Sequence, residues 1–117
     1  PSAFRRSVTI KAVIPRKQAL DDTGNAIDQY LAEADGNVAM GFIDALEQAY
    51  DFIAGSAGAG SQGWAHELNL PGLRSWPLKR FPWLVFYVEH EDQSDVWRVL
   101  HAKRDIPTWL IESDSAD

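Results

Sequence analysis

The spacing of apolar residues changes once along this chain, and that change limits what the chain can fold into. Between residues 16 and 53, apolar residues recur at intervals of three and four, as they do in amphipathic helices. From residue 73 onwards the segments are rich in Val, Leu and aromatic residues with a period of two, which is typical of strands. The segment between them, AGSAGAGSQG at 54–63, has almost nothing to bury and is predicted to be a flexible connector.

The first half is predicted to form two helices. The apolar stripe of the first comprises Ala19, Leu20, Thr23, Ala26, Ile27, Tyr30, Leu31 and Ala34. Its period outweighs the turn-like DDTGN, although Gly24 costs about 1 kcal/mol relative to Ala inside a helix. DGN at 35–37 interrupts the pattern, and a second stripe comprises Val38, Ala39, Phe42, Leu46, Ala49, Tyr50 and Ile53. Because the connection is so short, we expect the helices to form an antiparallel hairpin.

The second half is predicted to form an antiparallel meander. Its strands are expected at 73–80, 83–90 and 95–102, with the polar turn EDQS between the last two. Pro77 and Pro82 lack backbone donors, which indicates an edge or a bulge in the first of these strands. A β-branched segment at 7–15 predicts one further strand, and RDIPTWLI a short C-terminal helix.

The resulting fold class is α+β. A helical hairpin laid on one face of a small antiparallel sheet buries the apolar stripes, and the first strand joins the sheet as an edge partner. With 117 residues and 45% hydrophobic content, we expect a single domain with tails at 1–6 and 112–117.

Composition argues against several kinds of site. The chain has no cysteine, and its three histidines fall in no metal-ligand spacing, so neither a metal nor a cofactor is expected. The longest apolar run is far too short to span a bilayer and no signal peptide is evident, so we expect a cytoplasmic protein without membrane contact. The net charge of −6 argues against binding to a polyanion or to a specific nucleic-acid sequence.

The basic residues of the second half are grouped, and they are the candidates for a functional site. They are Arg74, Lys79, Arg80, Arg98, Lys103 and Arg104, with His101 among them. Strand alternation places Arg98 on the face opposite His101, which argues against one catalytic cluster. Two interpretations stay open at this point: local ion pairs, for example of Arg98 with Glu89 or of Arg104 with Asp105, or contacts with a partner.

Residues 70–107 closely resemble the C-terminal half of ParE-type toxins of the RelE/ParE superfamily. The resemblance is carried by GLR at 72–74, by Arg80 before the aromatic pair Phe86 and Tyr87, and by RVLHAKRD at 98–105. The helical half is similar in layout, so the resemblance covers roughly residues 8–111.

The resemblance implies the toxin of a type II toxin–antitoxin, or plasmid-stabilisation, module. A cognate, ParD-like antitoxin would neutralise it in a hetero-oligomer by wrapping an extended segment across the hairpin and the sheet. The acidic hairpin favours an antitoxin segment that carries arginine or lysine. The candidate antitoxin contacts are Tyr30, Phe42, Leu46, Tyr50 and Trp83.

The resemblance also implies an activity. ParE-like members inhibit DNA gyrase by binding, which requires no catalytic residue; the candidate contacts with the target or partner are Arg74, Lys79, Arg80, Arg98, His101 and Arg104. RelE-like members instead cleave mRNA in the ribosome, which needs clustered cations and an acid or base. A third interpretation is an inactive relic that serves only as an antitoxin-binding scaffold.

Overall fold

The structure is a computed structural model that describes residues 10–103. The strands are β1 (Ala12–Pro15), β2 (Leu73–Pro77), β3 (Trp83–Glu89) and β4 (Gln93–His101), and the helices are α1 (Lys17–Glu33), α2 (Gly36–Ser56) and α3 (Gly63–Leu68). The α+β class is confirmed. The predicted C-terminal helix, both tails, residues 7–9 of the first strand, and Arg104 lie outside the described residues.

The four strands form one mixed sheet in the order β1-β4-β3-β2. The C-terminal meander is antiparallel as predicted, β2 lies at an edge as Pro77 indicated, and β1 is the predicted edge partner. The expectation of a purely antiparallel sheet is wrong, because β1 runs parallel to β4. The reason lies in the hairpin: α2 ends beside the start of β1, where Lys11 N–H donates to Ala54 O at 2.9 Å. The second and fourth strands therefore both run in the direction of the first.

The two helices pack on one face of the sheet and form the main core with it. The first helix is continuous through Gly24, so the apolar period does outweigh the local turn signal. Asp35 caps α2, accepting a hydrogen bond from Val38 N–H at 3.0 Å. On the helices, the core of this layer combines four alanines, Ala19, Ala26, Ala45 and Ala49, with the larger Phe42, Leu46 and Ile53, and on the strands it includes Trp83, Val85, Tyr87 and Val99. The alanines let the helices lie close to the sheet at those positions.

The connector at 54–63 contains regular structure that the sequence did not predict, and Ala57 and Gly60 within it are buried. The second helix continues to Ser56, a single 3-10 turn follows at Ala57–Ala59, and α3 begins at Gly63. Ser61 exchanges two backbone hydrogen bonds of 2.9 Å with Ser75, which closes the outer edge of β2. Small residues are present here because the backbone itself packs against the sheet.

The third helix was not predicted from the sequence. It covers the second face of the sheet, where Trp64, Ala65 and Leu68 contact a smaller cluster that contains Leu73 and Phe86. The sheet is therefore covered on both faces over part of its area, which explains why β3 is apolar on both sides.

A β-bulge lies between β3 and β4, where Phe86 pairs with Arg98 but Tyr87 pairs with Val96. Trp97 is the extra residue. The predicted alternation therefore holds only on one side of the bulge: His101 and Val99 face the helices with Trp83 and Val85, as expected of one face. On the other side Val96 also faces the helices, and Trp97 packs on the opposite face, contrary to the prediction.

Candidate partner-binding surface

Arg98 is buried in an ion pair with Asp22 of α1. The guanidinium donates from Nε to Oδ2 at 2.8 Å and from Nη2 to Oδ1 at 2.7 Å, and the two side chains are 10% and 8% exposed. Asp22 also accepts a hydrogen bond from Val99 N–H at 3.0 Å. Because β1 ends beside Val96, this carboxylate lies at an edge of β4 that no strand within residues 10–103 covers. The bidentate geometry is typical of a strong, structural pair.

This position bears on two sequence expectations. The interpretation that Arg98 pairs with a local carboxylate such as Glu89 is wrong, because its ion-pair partner is Asp22, 76 positions away. Glu89 pairs instead with Lys11 at 2.8 Å. To contact a target, the Arg98 side chain would have to leave this buried ion pair. Its burial therefore does not support a role in target binding.

Tyr50 lies close to the same buried pair. Burial, together with the negative charge of Asp22, raises the pKa of the Tyr50 hydroxyl to about 12. The phenol therefore stays neutral over the physiological range, and its contribution here is packing rather than charge.

Arg74 holds the connector against the sheet. One guanidinium nitrogen donates to Gly58 O and to Gly60 O, both at 3.0 Å, and the neighbouring Tyr87 hydroxyl donates to Ala57 O at 2.6 Å. A Cβ at Gly60 would overlap the Tyr87 hydroxyl, so the backbone approaches this closely only because the residue is glycine. Burial raises the pKa of Tyr87. From β2, Arg74 thus has a structural role: it binds backbone carbonyls of the segment that follows α2.

His101 lies at the opposite end of the sheet. Its ring packs edge-on against Trp83 at 5.3 Å between centroids, and Nδ1 accepts a hydrogen bond from Lys103 N–H at 3.2 Å. Trp83 in turn donates from Nε1 to the Tyr30 hydroxyl at 2.9 Å. His101 is half-buried and Lys103 is exposed.

Lys79 and Arg80 are exposed in the segment between β2 and β3, not in a strand as predicted. Arg80 has φ of 70°, a left-handed conformation that is unusual for a residue other than glycine or asparagine. Within residues 10–103, neither side chain forms an ion pair. The predicted basic group is therefore divided: Arg74 and Arg98 are structural, His101 lies at a strand end, and Lys79 and Arg80 project from a loop.

The predicted antitoxin contacts are mostly core residues. Phe42, Leu46 and Trp83 are 0%, 6% and 5% exposed, while Tyr30 and Tyr50 are half-buried against the same core. The apolar stripe that identified them is the face that packs on the sheet. Apolar side chains that are exposed on the hairpin lie outside the centre of this face, and they include Leu20, Leu31, Met40 and Phe52.

The exposed Phe52 marks a groove that the sequence did not reveal. Its ring stacks on Trp76, with centroids 4.0 Å apart and planes inclined by 15°. Beside this stack, two adjoining hollows run between α2 and the segment 76–81 and share the lining residues Ala45, Gln48 and Lys79. We call this the α2 groove. Phe52 and Met40 could have been singled out, because they are large apolar residues that interrupt the polar side of the second helical pattern.

No helix in the described part of the chain is long and apolar enough to cross a membrane. Likewise, residues 10–103 contain no group of three or more potential metal-ligating His, Asp or Glu side chains.

Residues 13–106 match a protein family described as the ParE toxin of the type II toxin–antitoxin system parDE. Among curated proteins, a sequence comparison gives no match. Among solved structures, the fold is similar to a chain of a structure titled "Chromosomal ParDE TA system from P. aeruginosa", with a TM-score of 0.69 and 16% sequence identity. The similarity covers 80% of the present chain and 98% of the other.

Proposed function

We infer the function from family membership: this chain belongs to the ParE toxin family of type II toxin–antitoxin systems. We propose that it is a cytoplasmic toxin that inhibits DNA gyrase by binding. A cognate ParD-like antitoxin neutralises it. The observation that carries the proposal is the family match over residues 13–106. A similar fold in a structure titled as a ParDE system supports the fold assignment. A role of the module in plasmid stabilisation is part of the same proposal.

The distribution of the basic residues supports inhibition by binding rather than by catalysis. An RNase would need cations and an acid or base converging on one scissile phosphate. Arg98 is committed to Asp22 and Arg74 to the carbonyls of Gly58 and Gly60. His101 packs at the end of β4 and on the helix-covered face, opposite to that of Arg98 in the strand ladder. Lys79, Arg80, His101 and Lys103 remain as partly or fully exposed groups for contacts with a macromolecule.

Two experiments test the activity in sequence. Inducible expression of the full chain is expected to arrest growth, and co-expression of the antitoxin encoded beside it is expected to restore growth. Purified toxin is then expected to inhibit supercoiling by gyrase and to increase cleaved DNA, while the preformed toxin–antitoxin complex leaves supercoiling intact.

The outcomes separate the alternatives. Unaffected growth on expression would indicate a scaffold without toxin activity. Growth arrest with normal gyrase activity, together with mRNA cleavage in a translating extract, would replace the proposal with ribosome-dependent endonuclease activity.

A further inference from the structure

We propose that one segment of the antitoxin binds in the α2 groove. This segment inserts a single large apolar side chain beside Phe52 and Trp76, and it places a carboxylate next to Lys79 and Arg80. This inference rests on the proposed function, because it assumes that the partner is the cognate antitoxin. It assigns to that partner a definite surface and a definite chemistry.

The apolar end of the groove has the size of one side chain. Its hollow is about 160 Å³, and its walls are Phe52, Trp76 and Pro77, with the buried Ala45 and Ala49 at its base. A cavity of roughly 150 Å³ is enough to hold a benzene ring. The hollow can therefore take one aromatic or branched aliphatic side chain, at a position where an aromatic stack is already exposed to water.

The polar end of the groove has an asymmetric charge. One wall is the segment that carries Lys79 and Arg80, and the other is α2 with Asn37, Asp44 and Gln48. Neither cation has an ion-pair partner among residues 10–103. Since two cations flank the hollow and a single carboxylate lines it, an acidic side chain of the occupant is favoured there.

The groove is also long enough for a segment rather than a single residue. Its lining residues on α2 run from Asn37 to Phe52, and fifteen residues of helix rise by roughly 22 Å. Small residues at Gly41, Ala45 and Ala49 keep its base low along this length. This arrangement refines the expectation from net charge: basic residues of the antitoxin suit the acidic outer surface of the hairpin, and acidic ones suit the groove.

The first test fills the groove. Gln48→Trp introduces a ring at an exposed lining position, and Gln62→Trp makes the same change at an exposed position next to α3, away from the groove. The probe is the full-length antitoxin encoded beside this gene, titrated onto the full chain by calorimetry. We expect Gln48→Trp to weaken binding by about 30-fold, as for loss of a hot spot, and Gln62→Trp to change it by less than about 2-fold.

The second test addresses charge without touching the apolar end. Lys79→Glu and Arg80→Glu are each expected to weaken antitoxin binding by about 10-fold and to reduce its dependence on salt. Lys17→Glu makes the same charge change at a side chain that is 89% exposed on α1, and it serves as the control. Thermal unfolding of all variants distinguishes loss of binding from loss of fold.

Several results would overturn the inference. If Gln48→Trp binds the antitoxin with wild-type affinity, the groove is excluded as the antitoxin-binding site. Weaker gyrase inhibition with unchanged antitoxin affinity would assign the groove to the target, and a wild-type dimer that Gln48→Trp dissociates would assign it to a second copy. If the antitoxin binds neither the wild-type chain nor the control variants, the antitoxin part of the proposed function fails. If it binds all of these and binds Gln48→Trp equally well, only the assignment of the groove fails.

Discussion

The Asp22–Arg98 pair gives the sharpest test of how the fold is held together. At an effective dielectric constant of about 20, two unit charges about 4 Å apart attract each other by about 4 kcal/mol, and desolvation of both groups opposes this gain. Removing one partner leaves the other charged and nearly dry. We therefore expect Arg98→Met to lower the free energy of unfolding by about 3 to 5 kcal/mol.

The complementary variant is Asp22→Asn, because its amide oxygen can still accept the hydrogen bond from Val99 N–H. It removes the negative charge of Asp22 from beside the guanidinium and is expected to cost about 3 kcal/mol. The double variant removes both charges and keeps that acceptor, so it should be about as stable as Arg98→Met alone. The double-mutant cycle is expected to give a coupling energy of about 3 kcal/mol.

Urea unfolding followed by tryptophan fluorescence measures all three variants. Against a typical total stability of about 5 to 15 kcal/mol, the Arg98→Met change should shift the midpoint strongly and leave the slope unchanged. A loss below about 1 kcal/mol, or additive effects in the double variant, would refute the assignment of Arg98 to the core. Such a result would restore Arg98 as a surface contact.

Three further predictions follow from individual residues. Gly60→Ala should destabilise the fold by more than about 1 kcal/mol in thermal unfolding, because its Cβ overlaps the Tyr87 hydroxyl. Gly24→Ala, in the exposed middle of α1 with no atom within 4 Å of the added Cβ, should stabilise it by about 1 kcal/mol; a lower melting temperature would contradict the helix there. Since the pKa of Tyr50 is raised from 10.0 to about 12, its stabilising contribution is complete below pH 10 and is lost as the pH rises from 10 to about 12. Tyr50→Phe should therefore lose less stability over that interval in urea unfolding, and an equal loss would argue that the phenol is exposed.

Periodicity predicted the helices well because local chemistry and packing agree in them. The first helix needs one covered stripe, and Ala19, Ala26 and Tyr30 supply it despite Gly24. The direction of β1 could not be obtained in this way, since it depends on where α2 returns the chain. Strand spacing alone contains no information about that position.

The β-bulge shows a second limit of pattern analysis. A single extra residue, Trp97, exchanges the two faces of β4, so Val96 and Val99 both reach the helix-covered core although they are three positions apart. Both residues are apolar, and nothing in their order reveals the exchange. Long-range partners are equally hidden: Asp22 belongs to the polar positions of the first helical pattern, yet it is buried because it pairs with Arg98 and accepts a hydrogen bond from Val99 N–H of β4.

The division between core and partner surface follows from the same reasoning. An amphipathic stripe that packs on the sheet is buried when the chain folds, so Phe42 and Leu46 have little exposed surface for contact with another protein. A partner must instead use apolar groups that the fold leaves exposed. Phe52 meets this condition, because it lies outside the buried stripe and stacks on Trp76 at the surface. In a chain of this kind, large apolar residues that deviate from the helical period are therefore better guides to the binding surface than those that obey it.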